Sequence, residues 1–388
     1  MKILIFAVRL SAQGFGVDVV IKQLAAVWEK LGYDVTVGCI LSDIHSEKIQ
    51  MVTEEESAVL ELIGKVQPDY IYIHTFPFWK YIPAIKKQYP SIPLIMHDYG
   101  DPTPELFSNK ELQEFLRKQY KLRNENKKYA DRIITISEFV KYDVGYEDAD
   151  VVLLGSENVL DLGTKKSIST DKLQIGMLGR VGESENDYKG VKYFIELAKI
   201  LGSEKYDFHF CGHGKKSDAK DLIDSGIQVK VNLTEKEKTD YLRNLDIFIS
   251  TSLWEGFNLP LLEAQSLGTL SLAFDTGAHP EVTVFNFSSV HEMISFIEEM
   301  DENRNLLLEY SNVCYGFSRS NFSWIKGAVQ ILSFNSKQTN VWSESINNLG
   351  KQRKIDLPYF KLILKFISDR GILHFFVYGM KKVLRIKK

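Results

Sequence analysis

Short β-branched or aromatic runs alternate with amphipathic stretches from Lys2 to Gly155, and after one polar interruption the alternation starts again. The first series holds KILIFAV (2–8), YDVTVGCI (33–40), DYIYIHT (69–75), IPLIMHD (92–98), DRIITIS (131–137) and DVVLLG (150–155). Between them lie segments such as VDVVIKQLAAVWEKLG (17–32), whose apolar residues recur three and four apart, as a helix with one buried face requires. Strand and helix in strict alternation predict a doubly wound parallel sheet with right-handed crossovers.

The interruption, SENVLDLGTKKSISTDK (156–172), reads as a linker. The second series runs LQIGMLG (173–179), a helix from about Gly190 to Leu201, YDFHFCG (206–212), IQVKV (227–231), DIFISTS (246–252) and TLSLAFD (269–275). Thr234 and Glu237 form a capping box opening the helix before Asp246. A length of 388 residues, at about 150 residues per domain, also fits two domains. The fold class is therefore α/β, two tandem Rossmann-like domains facing each other across a cleft, where open α/β sheets bind ligands.

Lys and Arg total 48 against 51 Asp and Glu, a balance that leaves no nucleic-acid footprint. The charge is unevenly placed: residues 351–388 hold eleven Lys or Arg and only Asp356 and Asp369, leaving 37 basic and 49 acidic residues elsewhere. Cys39, Cys211 and Cys314 are far apart, odd in number and set in apolar segments, the pattern of reduced core cysteines rather than of a disulfide framework or a zinc site. The amino terminus, MKILIFAVRLSAQGFG, reads as a first strand without a cleavage site, so no export is expected.

The most informative stretch is STSLWEGFNLPLLEAQSLGT (250–269). A strand ends, a loop carries Glu255 and Gly256, Pro260 sits where a first helical turn tolerates proline, and Glu263 follows on that helix. Free amides at the helix start favour a ligand with acceptor oxygens or negative charge, and the carboxylates favour hydroxyls such as those of a sugar or ribose. In GMLGRVGESENDYKG (176–190) a strand runs into a Gly-punctuated loop whose Arg180 and Lys189 suit a diphosphate. Gly14 and Gly16 mark the first βα turn, either a tight turn or a phosphate or sugar cradle; Val19 at the third glycine position excludes a dinucleotide fingerprint. Gly212 ends a strand as a pocket wall or a structural turn, His97 and Asp98 end IPLIMHD, and His74 either lines the acceptor side or packs in the core.

These residues resemble the retaining, nucleotide-sugar-dependent glycosyltransferases usually called family 4, or glycosyl transferases group 1, over about residues 1–334. Their hallmark is two Glu separated by seven residues, matched by Glu255-GFNLPLL-Glu263. The resemblance implies the two-domain B-type fold. It also implies that Glu255 contacts the donor sugar, that Glu263 holds the ribose hydroxyls, that Arg180 and Lys189 hold the diphosphate, and that His97 faces the sugar. Gly14, Gly16, Gly212, Gly256, Phe257, Asn258 and Leu259 would line the donor pocket. Donor and acceptor would be a nucleoside-diphosphate sugar and a saccharide or lipid-linked saccharide, with no cofactor and no metal, since cationic side chains and helix-end amides can neutralise the leaving diphosphate.

Three places depart from the pattern: Gly155-Ser156-Glu157 at the linker start, Asn258 where a small residue is usual, and TVFNFSSVHEM after Glu281-Val282 in place of a glycine-bearing loop. The implied boundaries are residues 1–155 for the first, acceptor-side domain, 173–320 for the nucleotide-sugar domain, and 321–350 for a helix that begins at FSW (322–324) and crosses back. In the tail, PYFKLILKFIS and ILHFFVYGM are too short to span a membrane, so residues 355–388 are expected either to lie on an anionic membrane surface or to pack on the first domain. The expected location is cytoplasmic, peripheral to the inner face of the cell membrane. Two rivals remain at this level, a non-catalytic saccharide-binding or partner subunit and a nucleotide-sugar epimerase or hydrolase of the same fold.

Overall fold

Strand β1 (Lys2–Leu10) is buried on both sides, as a central parallel strand must be. Its alternate side chains divide: Ile3, Ile5 and Ala7 join the larger core cluster, and Leu4 and Phe6 the cluster on the opposite face. The computed structural model describes residues 1–13, 16–74, 76–182 and 187–333. Gly14, residues 334–350 of the expected crossing helix and the tail 351–388 lie outside the described residues.

Around β1 stand β2 (Asp34–Ser42), β3 (Ile49–Met51), β4 (Tyr70–Ile73), β5 (Leu94–Asp98), β6 (Arg132–Thr135) and β7 (Asp150–Val151). Their order is β3-β2-β1-β4-β5-β6-β7, with every pair parallel. Helices α1 (Gly16–Lys30), α2 (Glu56–Val66), α3 (Ile82–Gln88), α4 (Lys110–Asn126) and α5 (Glu138–Asp143) connect them. Val20, Ile21, Leu24 and Trp28 of α1 cover one face, and Val59, Leu62 and Ile63 of α2 the other.

The second sheet is built from β8 (Leu173–Arg180), β9 (Tyr206–His213), β10 (Gln228–Val231), β11 (Ile247–Ser250), β12 (Leu270–Phe274) and β13 (Asn286–Phe287), in the order β10-β9-β8-β11-β12-β13. Its helices are α6 (Val191–Leu201), α7 (Lys220–Asp224), α8 (Glu235–Asn244), α9 (Leu259–Ser266), α10 (His279–Val282), α11 (Val290–Glu302) and α12 (Arg304–Asn321). The Thr234–Glu237 capping box is present at the start of α8. In both sheets the strand order reverses beside the first strand, at β1/β4 and β8/β11, which opens a crevice beyond the strand ends.

The run 150–155 is a strand only at Asp150–Val151. Of its remaining apolar residues, Val152 and Leu154 are buried in the core cluster that also holds Trp324, Ala328 and Ile331 of α13 (Trp324–Leu332), and Leu153 packs against it partly buried. That helix lies on α1, where Trp28 Nε1 donates to Ala328 O at 3.0 Å. The chain thus passes between the sheets twice, side by side. Ser156 Oγ donates to Phe322 O at 3.3 Å, Trp324 N to Glu157 Oε2 at 2.8 Å, and a Cβ on Gly155 would lie 2.2 Å from Trp324 N. Cys39, Cys211 and Cys314 are buried and free.

Candidate functional site

Strand β11 stops at Ser250 and the chain folds over the strand end before α9 begins. Asn258 closes this loop in a left-handed conformation, φ 73°, and caps α9 by accepting from Leu261 N at 3.1 Å. Its amide donates to Ser250 Oγ at 2.8 Å and approaches His279 Nε2 at 2.9 Å. His279 Nδ1 lies 2.9 Å from Phe274 O, and burial holds this histidine below its usual pKa, in the neutral form that can accept from Asn258. Asn258, the departure from the family wording, therefore fastens the loop to β12. Phe257 is core, edge-on to Phe322, and Leu259 is buried.

Glu255, 7% exposed, stands on that loop, and its Oε1 accepts from Lys189 Nζ at 2.7 Å. The Lys189 segment is laced to it: Leu253 N donates to Tyr188 O at 2.7 Å and Thr251 Oγ1 to Gly190 O at 2.9 Å. Only glycine serves at 190, since φ is 64° and a Cβ would lie 2.0 Å from Thr251 O. The first domain closes over the same loop. Ser137 Oγ donates to Gly256 O at 2.7 Å, and a Cβ on Gly256 would meet Tyr99 O at 2.4 Å.

Glu263, 2% exposed on α9, faces two donors: Asn158 Nδ2 at 2.6 Å from Oε1, and Lys238 Nζ at 3.2 Å from Oε2. Burial works against the Lys238 ammonium, but the carboxylates of Glu263 and Glu235 outweigh it and raise its pKa. Arg180 is exposed at the end of β8, in register with His213. Gly212 lies within β9 rather than in a turn, and its carbonyl accepts from Asn232 N at 2.8 Å. Gly16 opens α1 with its Cβ position 4.0 Å from Leu259 Cδ1, so the first βα turn of one domain faces the α9 start of the other.

His97 ends β5, wholly buried, stacked on Tyr99 at 4.8 Å and 5.0 Å from the ring of His74. Neither ring nitrogen has a hydrogen-bond partner among the described residues, and burial drives its pKa down to about 3. His74 Nδ1 lies 2.5 Å from Tyr99 OH, and burial, with His97 beside it, holds its pKa well below the usual value. Asp98 accepts from Tyr146 OH at 2.6 Å and is an anchor of the strand end.

The structure thus joins Lys189 to Glu255 directly and sets Gly16 against Leu259, with His97 enclosed behind Tyr99. Sequence reasoning missed Asn158, Lys238, Ser137 and Glu281. Lys238 looks like one solvated charge among many in EKEKTDYLRN, and Asn158 like linker; only the capping signature of Ser137 before Glu138 was visible in one dimension. Among the described residues, no group of three or more His, Cys, Asp or Glu is placed to hold a metal ion.

Residues 172–295 match the model of the family described as Glycosyl transferases group 1. An uncharacterized 41.2 kDa protein in the cps region of Klebsiella pneumoniae is 23% identical over 141 residues, which cover 34% of this chain and only 38% of that protein. Among solved structures, sucrose-phosphate synthase from Thermosynechococcus elongatus superposes with a TM-score of 0.68 at 12% identity, over 88% of this chain and 99% of the other. Anabaena HepE, in complex with UDP-glucose, superposes with a TM-score of 0.65 at 18% identity, over 85% and 98%. The chain is thus a two-domain protein of the B-type glycosyltransferase fold whose second domain is matched to glycosyl transferases group 1.

Proposed function

We propose that the protein is a retaining glycosyltransferase that moves a hexose from a nucleoside-diphosphate sugar to a saccharide or lipid-linked saccharide. The observation that carries this reading is the Lys189–Glu255 pair at the crevice, a cation and a carboxylate 2.7 Å apart on two loops bound to each other. In this reading the Lys189 ammonium turns to the diphosphate, helped by Arg180, while Glu255 accepts from a sugar hydroxyl and Glu263 from the ribose. The bond from the anomeric carbon to the diphosphate oxygen breaks and a bond to the acceptor oxygen forms on the same face. The acceptor proton passes to the departing phosphate oxygen, so no protein nucleophile is needed. His97 is wholly buried behind Tyr99, contrary to the expectation that it faces the sugar, and would shape the sugar pocket only through the Tyr99 ring. The complex of HepE with UDP-glucose supports a nucleotide sugar, and the relative in a cps region supports a role in cell-surface polysaccharide or glycoconjugate synthesis. We propose further that residues 355–388 bring the enzyme to an anionic membrane surface.

The test is a panel of nucleoside-diphosphate sugars with and without saccharide acceptors, following diphosphate release and the anomeric configuration of the product by NMR. Acceptor-dependent release with retained configuration is expected. Release without acceptor indicates a hydrolase, an isomerised donor an epimerase, and an untouched panel a binding subunit. Glu255→Ala should slow transfer and Glu263→Ala weaken donor binding, each by about tenfold to a hundredfold, the loss of one charge-assisted hydrogen bond.

A further inference from the structure

Glu263 is enclosed, and a buried carboxylate needs donors and a counter-charge in place of the water it has lost. Here both come from outside α9. Asn158 belongs to the segment joining the domains, and its Nδ2 lies 2.6 Å from Glu263 Oε1. The other end of that amide is fixed too, because Trp324 Nε1, a donor only, reaches Asn158 Oδ1 at 3.2 Å. Lys238 on α8 reaches Oε1 at 3.3 Å and Oε2 at 3.2 Å, and is itself steadied by Glu235 at 2.8 Å.

A carboxylate has about four lone-pair directions, and these donors leave part of that capacity for ligand hydroxyls. We propose that Asn158 and Lys238 are positioning residues for the donor pocket: they hold the Glu263 carboxylate turned so that it accepts from the ribose of the nucleotide. The inference rests on the donor-binding role given to Glu263 above. Trp324 opens the helix that returns to the first domain, so the same relay ties the pocket to both chain crossings between the sheets.

Calorimetry on the full chain with UDP, ADP and GDP, and with the 2′,3′-dideoxy form of whichever binds, separates a ribose effect from a general one. The wild type should prefer the ribonucleotide by about tenfold or more. Asn158→Leu and Lys238→Gln should bring that preference to within about threefold while barely changing dideoxynucleotide affinity, and Lys238→Arg should restore it. Lys238→Gln keeps the test open if Asn158→Leu fails to fold, as circular dichroism would show. Variants that keep the full preference, or that lose both ligands equally, overturn the positioning role and leave the proposed function standing. A wild type that binds no nucleoside diphosphate overturns that function and this inference together. A wild type that binds but ignores the ribose overturns only the assignment to Glu263 and its two supports.

Discussion

The Glu281 carboxylate of the second domain accepts the Phe139 N–H of the first at 2.7 Å. Its other oxygen accepts from Glu138 N at 2.9 Å, and Ser137 Oγ caps the same helix by accepting from Val140 N at 3.1 Å. The exposed amides at the start of α5 are thus met partly from within the first domain and partly from across the crevice, where negative charge is favoured.

Glu281→Ala removes two charge-assisted hydrogen bonds and bares two amides to water. Because Glu281 is half-buried, the expected loss is about 1 to 2 kcal/mol, with Glu281→Gln losing less because an acceptor remains. Urea unfolding of the three proteins checks it. Indistinguishable midpoints would mean that the two domains hold together without this tie.

Lys189→Gln and Arg180→Gln should weaken nucleoside diphosphate binding while leaving nucleoside binding nearly unchanged, because the lost partner is charge on phosphate. For Lys189, mostly enclosed beside Glu255, about tenfold or more is expected; for the exposed Arg180 the effect is smaller and fades with added salt. Calorimetry with both ligands at two salt concentrations decides it. Equal losses for nucleoside and diphosphate would place these residues outside phosphate recognition.

The strand–helix alternation gave the two sheets at once, since parallel strands buried on both faces are written as continuous apolar runs. Two short edge strands, Ile49–Met51 and Asn286–Phe287, carried too little apolar pattern to be seen. Val152 and Leu154 read as strand because burial against α13 selects the same residue types as a sheet does. At the site, Glu255 and Glu263 stood in one short, ordered stretch and Lys189 in another 66 positions away, so residue types within each local segment revealed them and the family resemblance supplied their roles. Asn158 lies 105 positions from Glu263, and Glu281 lies 142 from Phe139. Such pairings are set by how two domains meet, and no local period encodes them.

His97 gives a pH prediction. Burial lowers its folded pKa to about 3 from an unfolded value near 6.5. Between those values the unfolded chain binds the extra proton, so the stability from keeping His97 neutral is complete above about pH 6.5 and is lost as pH falls. The expected loss is about 2 kcal/mol between pH 7 and pH 5. His74 and His279, also lowered by burial, add in the same direction. Denaturant unfolding of wild type and His97→Gln across this range isolates the one group: the variant's curve should be flatter by that amount. Parallel curves would refute a neutral, enclosed His97.

The basic tail is expected to bind anionic lipid. The tail lies outside the described residues; from its sequence alone, a helix over PYFKLILKFIS would put Lys361, Lys365 and Ser368 on one narrow face and apolar residues over the rest, Asp369-Arg370-Gly371 would interrupt it, and ILHFFVYGM runs into KKVLRIKK. Neither piece has the roughly 20 apolar residues of a span, so the favoured placement is within the interface, Phe and Leu among the acyl chains and the lysines among the headgroups. Each basic residue near anionic lipid contributes about 1 kcal/mol, falling off within a Debye length, so binding should weaken with salt. Flotation of the full chain and of a chain ending at Gly350 with phosphatidylserine-containing vesicles, and with neutral phosphatidylcholine vesicles, measures it. The full chain should float with the anionic vesicles at low salt and the shortened chain should stay below. Full-length protein that remains in the soluble fraction at low salt would mean that the lysines serve another purpose, with packing against the first domain the remaining role for the apolar residues.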